Sequence, residues 1–337
     1  MSPIDLATKL ASRLFITSVL ERVAKRPMLL VLVYHRIMRP QDCKYDPNVI
    51  EATPEQFDEQ MAILRKRHDV ADPQEMRELI AAPKKLRHAR IGITFDDGYR
   101  DNYTYAFPIL KSHGLRAMFF LPTHFVGQKH LTWWDQIAWV VRNSTRRSLT
   151  FKYPKNVVVT VDPDDPTLAI RQVLHLLTKN PSVDRQRFMA EVQEVCGLDA
   201  PAQAEDRQFL SWEEAGEMER DGMTMGSHTH SHEILARLSE PEQKEQCQRS
   251  RDLLVENNLK ADCLAYPVGH LDSFSAGTID LAKRAGYSFA FTNYGGVNAP
   301  ERMDPFRVRR VGMDLGEELH QYRFRMAMTN IAGRELW

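Results

Sequence analysis

An α/β barrel carrying an inserted unit is the fold class that this sequence predicts. Three observations carry it. Apolar runs of strand length alternate with helical stretches, polar residues bunch directly behind those runs, and the chain has 337 residues, about twice one average domain. Repeated strand–helix order calls for a parallel arrangement covered on both faces.

Residues 4–26 place Leu6, Leu10, Leu14, Leu20, Val23 and Ala24 at helical spacing. Lys9, Arg13, Arg22, Lys25 and Arg26 are interleaved with them against only Asp5 and Glu21. This basic amphipathic helix is expected either to pack on its own domain or to lie on an anionic membrane surface. After Pro27, the run Met28-Leu-Leu-Val-Leu-Val-Tyr34 reads as a buried strand ending in His35 and Arg36. Thr53, with Pro54 behind it and Gln56 three residues on, predicts a capped helix to about Lys66.

Ile91–Phe95 is the second strand, tipped by Asp96-Asp97-Gly98-Tyr99; a helix carrying Leu110 and a strand over Arg116–Leu121 follow. The alternation returns with strands over Met223–Ser227, Cys263–Tyr266 and Ser288–Phe291, separated by helices over about 239–257 and 275–285. Between 128 and 206 it breaks into an aromatic helix (Trp133–Val141), a β-like stretch (Phe151–Val161) and two helical stretches around 167–179 and 183–196. The expected organisation is therefore an N-terminal helix over 1–27, a barrel from 28–127 and 207–320, an insertion over 128–206, and a tail over 321–337.

Lys+Arg and Asp+Glu both number 45, so no bulk positive field exists to hold a polyanion, and nucleic acid is not an expected partner. A hydrophobic content of 43% excludes a disordered chain. The four cysteines are too scattered for a disulfide framework, and the apolar run at 28–34 is far below the roughly 20 residues of a membrane span. A cytoplasmic location, with the inner membrane surface in reach of residues 4–26, is the expectation. Nothing in the sequence fixes the oligomeric state.

In parallel α/β architectures, chemistry gathers at the carboxyl ends of the strands. Four tips stand out: His35, Asp96-Asp97, His228 with His232, and Tyr266-Pro267-Val268-Gly269. His228 and His232 stand at i and i+4, one helical turn apart, where both imidazoles can face one metal ion, and Asp96 or Asp97 supplies a carboxylate to complete a facial set. Taken singly, the histidines read equally as a His-rich loop and Asp-Asp-Gly as an ordinary turn.

Together, Thr94-Phe-Asp-Asp-Gly-Tyr99 and Ser227-His-Thr-His-Ser-His232 resemble the first two motifs of the polysaccharide deacetylase family, also called carbohydrate esterase family four or the NodB-homology domain. The resemblance covers about 28–127 and 207–312 and implies a distorted (β/α) barrel. It further implies Asp97, His228 and His232 as ligands of a divalent metal, zinc foremost, with Asp96 as general base. Tyr266-Pro267-Val268-Gly269 is similar to the third motif, which implies the Val268 backbone N–H as oxyanion donor. Two departures stand beside the match. Ala265 occupies the position of a base-orienting arginine, for which Arg309 or Arg310 is a distant substitute, although surface charge is the plainer reading of either. No leucine-x-histidine motif follows the last strand, and Val33-Tyr34-His35-Arg36 resembles the YH motif of a subgroup whose early histidine serves as acid, which implies that role for His35.

Tyr99, Tyr266, Pro267, Trp133 and Trp134 are expected substrate contacts, the tryptophans as stacking walls. Asp101 is expected to cap the following helix. The function so implied is metal-dependent removal of the N-acetyl group from a sugar in a polysaccharide, oligosaccharide or lipid-linked glycan. A non-catalytic glycan-binding member and a deformylase on a lipid-linked sugar are the alternatives. A glycosidase is disfavoured because adjacent Asp96 and Asp97 cannot flank one bond at about 5 Å or more.

Overall fold

The computed structural model describes residues 16–20, 26–180 and 182–332, so most of the 4–26 segment lies outside the described residues. Two compact units emerge, one of residues 1–37, 51–127 and 209–337, the other of 38–50 and 128–208.

The first unit is built on seven parallel strands: β1 (Met28–Tyr34), β2 (Ala89–Phe95), β3 (Met118–Leu121), β4 (Thr224–Ser227), β5 (Cys263–Ala265), β6 (Phe289–Phe291) and β7 (Val311–Gly312). They lie in the order β6-β5-β4-β3-β2-β1-β7. All seven residues of β1 are buried, as a continuous apolar run between two covered faces requires. Its alternate residues serve different layers. Leu30, Leu32 and Tyr34 pack with Phe57, Met61 and Leu64 of the helix Pro54–Arg67, whereas Leu29 and Val31 join Phe120, Phe291 and Val308 on the other face. The Pro54 helix starts as its sequence predicts, with Thr53 and Gln56 forming a reciprocal capping box.

The chain segment leading into β7 closes the sheet. Phe291 of β6 pairs in parallel with Val308, and Val311 pairs in parallel with Leu32 of β1, so one short stretch spans from one sheet edge to the other. Val308 N donates to Ala290 O at 3.0 Å and Thr292 N to Val308 O at 2.9 Å. The curled parallel sheet with helices outside it is the distorted (β/α) barrel expected.

Residues 319–332, most of which fall in the expected tail, form a helix, Leu319–Ala332, whose Tyr322 and Met326 are buried in the same core as β1. Their apolar spacing is short and interrupted by arginines, which hid the helix in the sequence. Among the described residues no helix is long and apolar enough to cross a membrane.

The second unit holds the helices Trp133–Asn143, Thr167–Thr178 and Arg185–Cys196 and an antiparallel hairpin, Ser148–Phe151 with Val157–Thr160. It also takes in 38–50, which the sequence assigned to the barrel. Tyr45 packs with Leu131 and Ala204, Arg142 Nη2 donates to Tyr45 O at 3.1 Å, and these contacts decide the boundary.

Candidate active site

Strand geometry delivers the acidic pair. Along β2 the side chains alternate, so Phe95 faces the outer helices while Thr94 and Asp96 share the opposite face. Asp97 then turns: its φ of 67° lies in the left-handed region, as does that of Gly98 at 62°. Both carboxylates are buried. At Gly98 an added Cβ would stand 2.7 Å from Leu121 Cδ2, so the turn is reserved for glycine.

The two histidines do not lie on a helical turn. His228 to His232 is irregular chain with left-handed φ at Thr229 (65°) and His232 (56°), a fold-back that brings the ring centroids to 4.8 Å. The i, i+4 spacing was informative, but through a loop. His228 Nδ1 lies 2.8 Å from Ala265 O; donation to that carbonyl leaves the Nε2 lone pair directed at the site. Asp97 Oδ1 stands 3.4 Å from His228 Nε2 and 3.2 Å from His232 Nε2.

These separations fit a metal. Two ligands at about 2.0–2.1 Å from a tetrahedral centre lie roughly 3.3 Å apart. The three ligand atoms lie within 4.8 Å of one another, and Asp97 Oδ1 is buried without a hydrogen-bond donor of its own. An orphaned carboxylate oxygen facing two imidazole nitrogens is a donor set that a divalent cation satisfies. Burial pushes the Asp97 carboxyl up, but the facing imidazoles of His232 and His228 hold it well below the usual carboxylate range.

Asp96 is held differently. Arg310, itself fully buried, forks onto it with Nη1 2.7 Å from Oδ1 and Nη2 2.6 Å from Oδ2. Arg310 Nε donates to Thr292 O at 2.8 Å, and Nη1 reaches Thr94 Oγ1 at 3.2 Å. Its guanidinium lies 5.7 Å from the Phe120 and Phe291 rings alike. Burial raises the Asp96 carboxyl, while Arg310 and His228 outweigh it and keep the group ionised. The plainer reading of Arg310 as surface charge is thus overturned, and the orienting arginine that Ala265 lacks enters from the barrel-closing segment. Arg309 stays exposed. A period-2 reading of Val308-Arg-Arg-Val311 would have found this, since it sets Arg310 on the face of Val308.

His35 follows β1 with its side chain 21% exposed, and its Nδ1 is 2.7 Å from Glu51 Oε1. Glu51 Oε2 also accepts from the His35 and Arg36 backbone N–H groups at 2.8 and 3.2 Å, which pins the strand tip. Burial lowers the His35 pKa, but Glu51, then Asp97 and Asp96, raise it to about 10. Sequence reasoning missed Glu51; a lone carboxylate between Ile50 and Ala52, just before a helix cap, was its only mark.

Val268 is half-buried with φ of 63°, and Gly269 N donates to Pro267 O at 2.7 Å, a strained γ-turn around Val268. Asp97, Thr229, His232 and Val268 are four of the five non-glycine residues with positive φ among the described residues. Backbone strain therefore concentrates on the strand tips that carry the candidate chemistry.

The aromatic contacts fare otherwise. Tyr99 is fully buried, stacked on Phe209 at 5.3 Å with the Arg36 guanidinium 4.0 Å over its ring, so no face remains for a sugar. Tyr266 is buried against Phe274 at 4.2 Å and donates to Phe306 O. Pro267 is buried as well. Trp134 is 6% exposed and packs edge-on against half-buried Trp133 within the second unit, which makes it a core residue. Asp101 makes no side-chain cap; it accepts instead from Ile37 N at 2.9 Å and Arg36 Nε at 3.1 Å.

Comparison with known proteins agrees with this geometry. The family model for polysaccharide deacetylase matches residues 84–290. The Bacillus subtilis (strain 168) protein YxkH, which carries the same family name, is 32% identical over 111 residues; the match spans 33% of this chain and only 36% of that protein's length. Among solved structures, IcaB from Ammonifex degensii superposes with a TM-score of 0.57 at 21% identity, covering 90% of this chain and 97% of that one. The Streptococcus pyogenes deacetylase PplD, in complex with acetate, gives 0.54 at 17% identity, covering 88% and 96%. At these identities the structural likeness is one of fold. With a family model matching well over half of the residues and both of its acidic and histidine motifs converging on one point, the chain belongs to the polysaccharide deacetylase family.

Proposed function

We propose that this protein is a metal-dependent hydrolase that removes the N-acetyl group from an N-acetylated sugar in a polysaccharide, oligosaccharide or lipid-linked glycan, releasing acetate and a free amine. One observation carries the reading. Asp97, His228 and His232 converge as a ligand set, while the adjacent carboxylate, Asp96, is gripped by Arg310 at the edge of that set, its Oδ2 3.9 Å from His228 Nε2. Two neighbouring aspartates are thereby given different work. A divalent ion held by the three ligands, zinc foremost, would polarise the acyl oxygen and acidify water.

Asp96, ionised and fixed by the Arg310 fork, is placed to accept the proton of the attacking water. The Val268 N–H, presented by its strained turn, is suited to donate to the developing oxyanion, where one such donor is worth about 2.7–4 kcal/mol. His35, protonated through Glu51, is suited to give its proton to the departing amine. The binding-only alternative rested on the missing arginine and missing late histidine; Arg310 and His35 supply groups of both kinds. A formyl group would engage the same residues.

The test is acetate release from N-acetylglucosamine oligomers by the zinc-loaded chain, with N-formyl sugars in parallel. Asp97→Ala, His228→Ala and His232→Ala should each lose metal and turnover. Asp96→Asn should keep its metal and lose about 10²-fold or more in kcat. Metal retention without turnover on any acylated sugar would sink the proposal.

A further inference from the structure

We propose that Gln246, on the outer helix Glu240–Glu256, is a positioning residue for the candidate metal centre, its side-chain amide locking the fold-back that presents His228 and His232. The inference rests on the reading of Asp97, His228 and His232 as the ligands of a metal, and it gives that set a support outside the strand tips.

The fold-back requires support. Thr229 and His232 both hold left-handed φ, a conformation that a β-branched threonine keeps only where its surroundings over-determine it. His228 is steadied through Ala265 O, and the place of His232 beside it is set by the chain between them, Thr229 to Ser231. A metal site tolerates only about 0.2 Å of error in its ligand distances, so those residues must be fixed.

Successive backbone groups from Thr229 N to Ser231 N are each paired. Thr229 O and His230 O accept from the backbone N–H groups of Thr123 and His124, just behind β3, at 3.3 and 2.8 Å. Thr229 N donates to Ser227 Oγ at 3.1 Å, and that hydroxyl lies 2.7 Å from Ser250 Oγ. His230 N and Ser231 N both donate to Gln246 Oε1, at 3.1 and 2.9 Å. Gln246 Nε2 completes the grip by donating to Ser231 Oγ at 2.8 Å. One amide thus holds two adjacent residues that stand between the two imidazole ligands.

Gln246 differs from the other supports in kind. Successive N–H groups converging on one point form a concave nest for an oxygen, and here a single side chain fills it. The contacts from behind β3 are main-chain and do not depend on side-chain identity, whereas the nest depends on residue 246 alone. Ser250 stands one helical turn further on, so one helix face supports both ends of the turn.

The test is zinc affinity, read by competition with a chromophoric chelator, beside the melting temperature of the metal-free chain. Gln246→Met keeps the bulk and loses all three bonds; it should weaken zinc binding about tenfold or more. Gln246→Glu still offers oxygen to both N–H groups, with the Ser231 hydroxyl able to turn and donate, and should restore affinity to within about threefold of the wild type. A role confined to packing would instead lower the melting temperature of the metal-free chain and leave the zinc Kd alone. Ser231→Ala deletes one bond of the grip and stands in if Gln246→Met does not fold, with a smaller loss of affinity expected. An unchanged zinc Kd in whichever of these two variants folds, or no rescue by Gln246→Glu, would overturn the proposal. Asp97→Ala in the same assay separates the two readings. Loss of zinc there but not in Gln246→Met defeats the positioning role alone, whereas full zinc affinity in Asp97→Ala defeats the ligand set and this proposal with it.

Discussion

Arg310 is the residue on which the proposed base depends most. A buried carboxylate that loses its partner is left uncompensated, which costs about 3–5 kcal/mol. Arg310→Met should lower stability by that order in urea unfolding and raise the pKa of Asp96, depressing kcat. Arg310→Lys keeps the charge but not the two-pronged geometry, so it should restore stability more fully than rate. Glu51 offers a parallel test through pH. His35 has a pKa raised to about 10, so its stabilising contribution is complete below about pH 6.5, its ordinary value, and is lost as pH rises through 10. Glu51→Gln removes the main raising influence. The expected results are an alkaline limb of kcat moved to lower pH and a flatter stability profile between those limits, measured by pH–rate and denaturation series.

At the scale of elements, the strands were legible and the turns were not. Met28–Tyr34 could be read because seven apolar residues in sequence have few other uses. The fold-back of His228 to His232 left no signature beyond spacing, because left-handed φ at threonine and histidine contradicts their local preference and is imposed by tertiary packing. Arg310 was obscure for a related reason: its partner lies 214 residues away, and a run of basic residues ordinarily means surface. Tyr99 misled in the opposite sense, since a motif aromatic beside a site can serve by packing. The γ-turn makes a prediction proper to this scale. At Gly269 an added Cβ would stand 2.5 Å from Asn293 N at a φ of 64°. Gly269→Ala should therefore shift the Val268 N–H and lower kcat, with metal content intact and a stability loss of about 1–3 kcal/mol.

For the whole molecule, metal binding should be felt across the fold, because its ligands come from the tip of β2 and from the loop after β4, with β5 steadying His228 through Ala265 O. Zinc at a hundred times its Kd would add about 2.7 kcal/mol to stability. Chelation should accordingly lower the melting temperature by roughly 4 °C, zinc should restore it, and Asp97→Ala should abolish the response. Calorimetric scans with and without chelator would check this, and a melting temperature indifferent to zinc would remove the metal from the fold and from the proposed chemistry together.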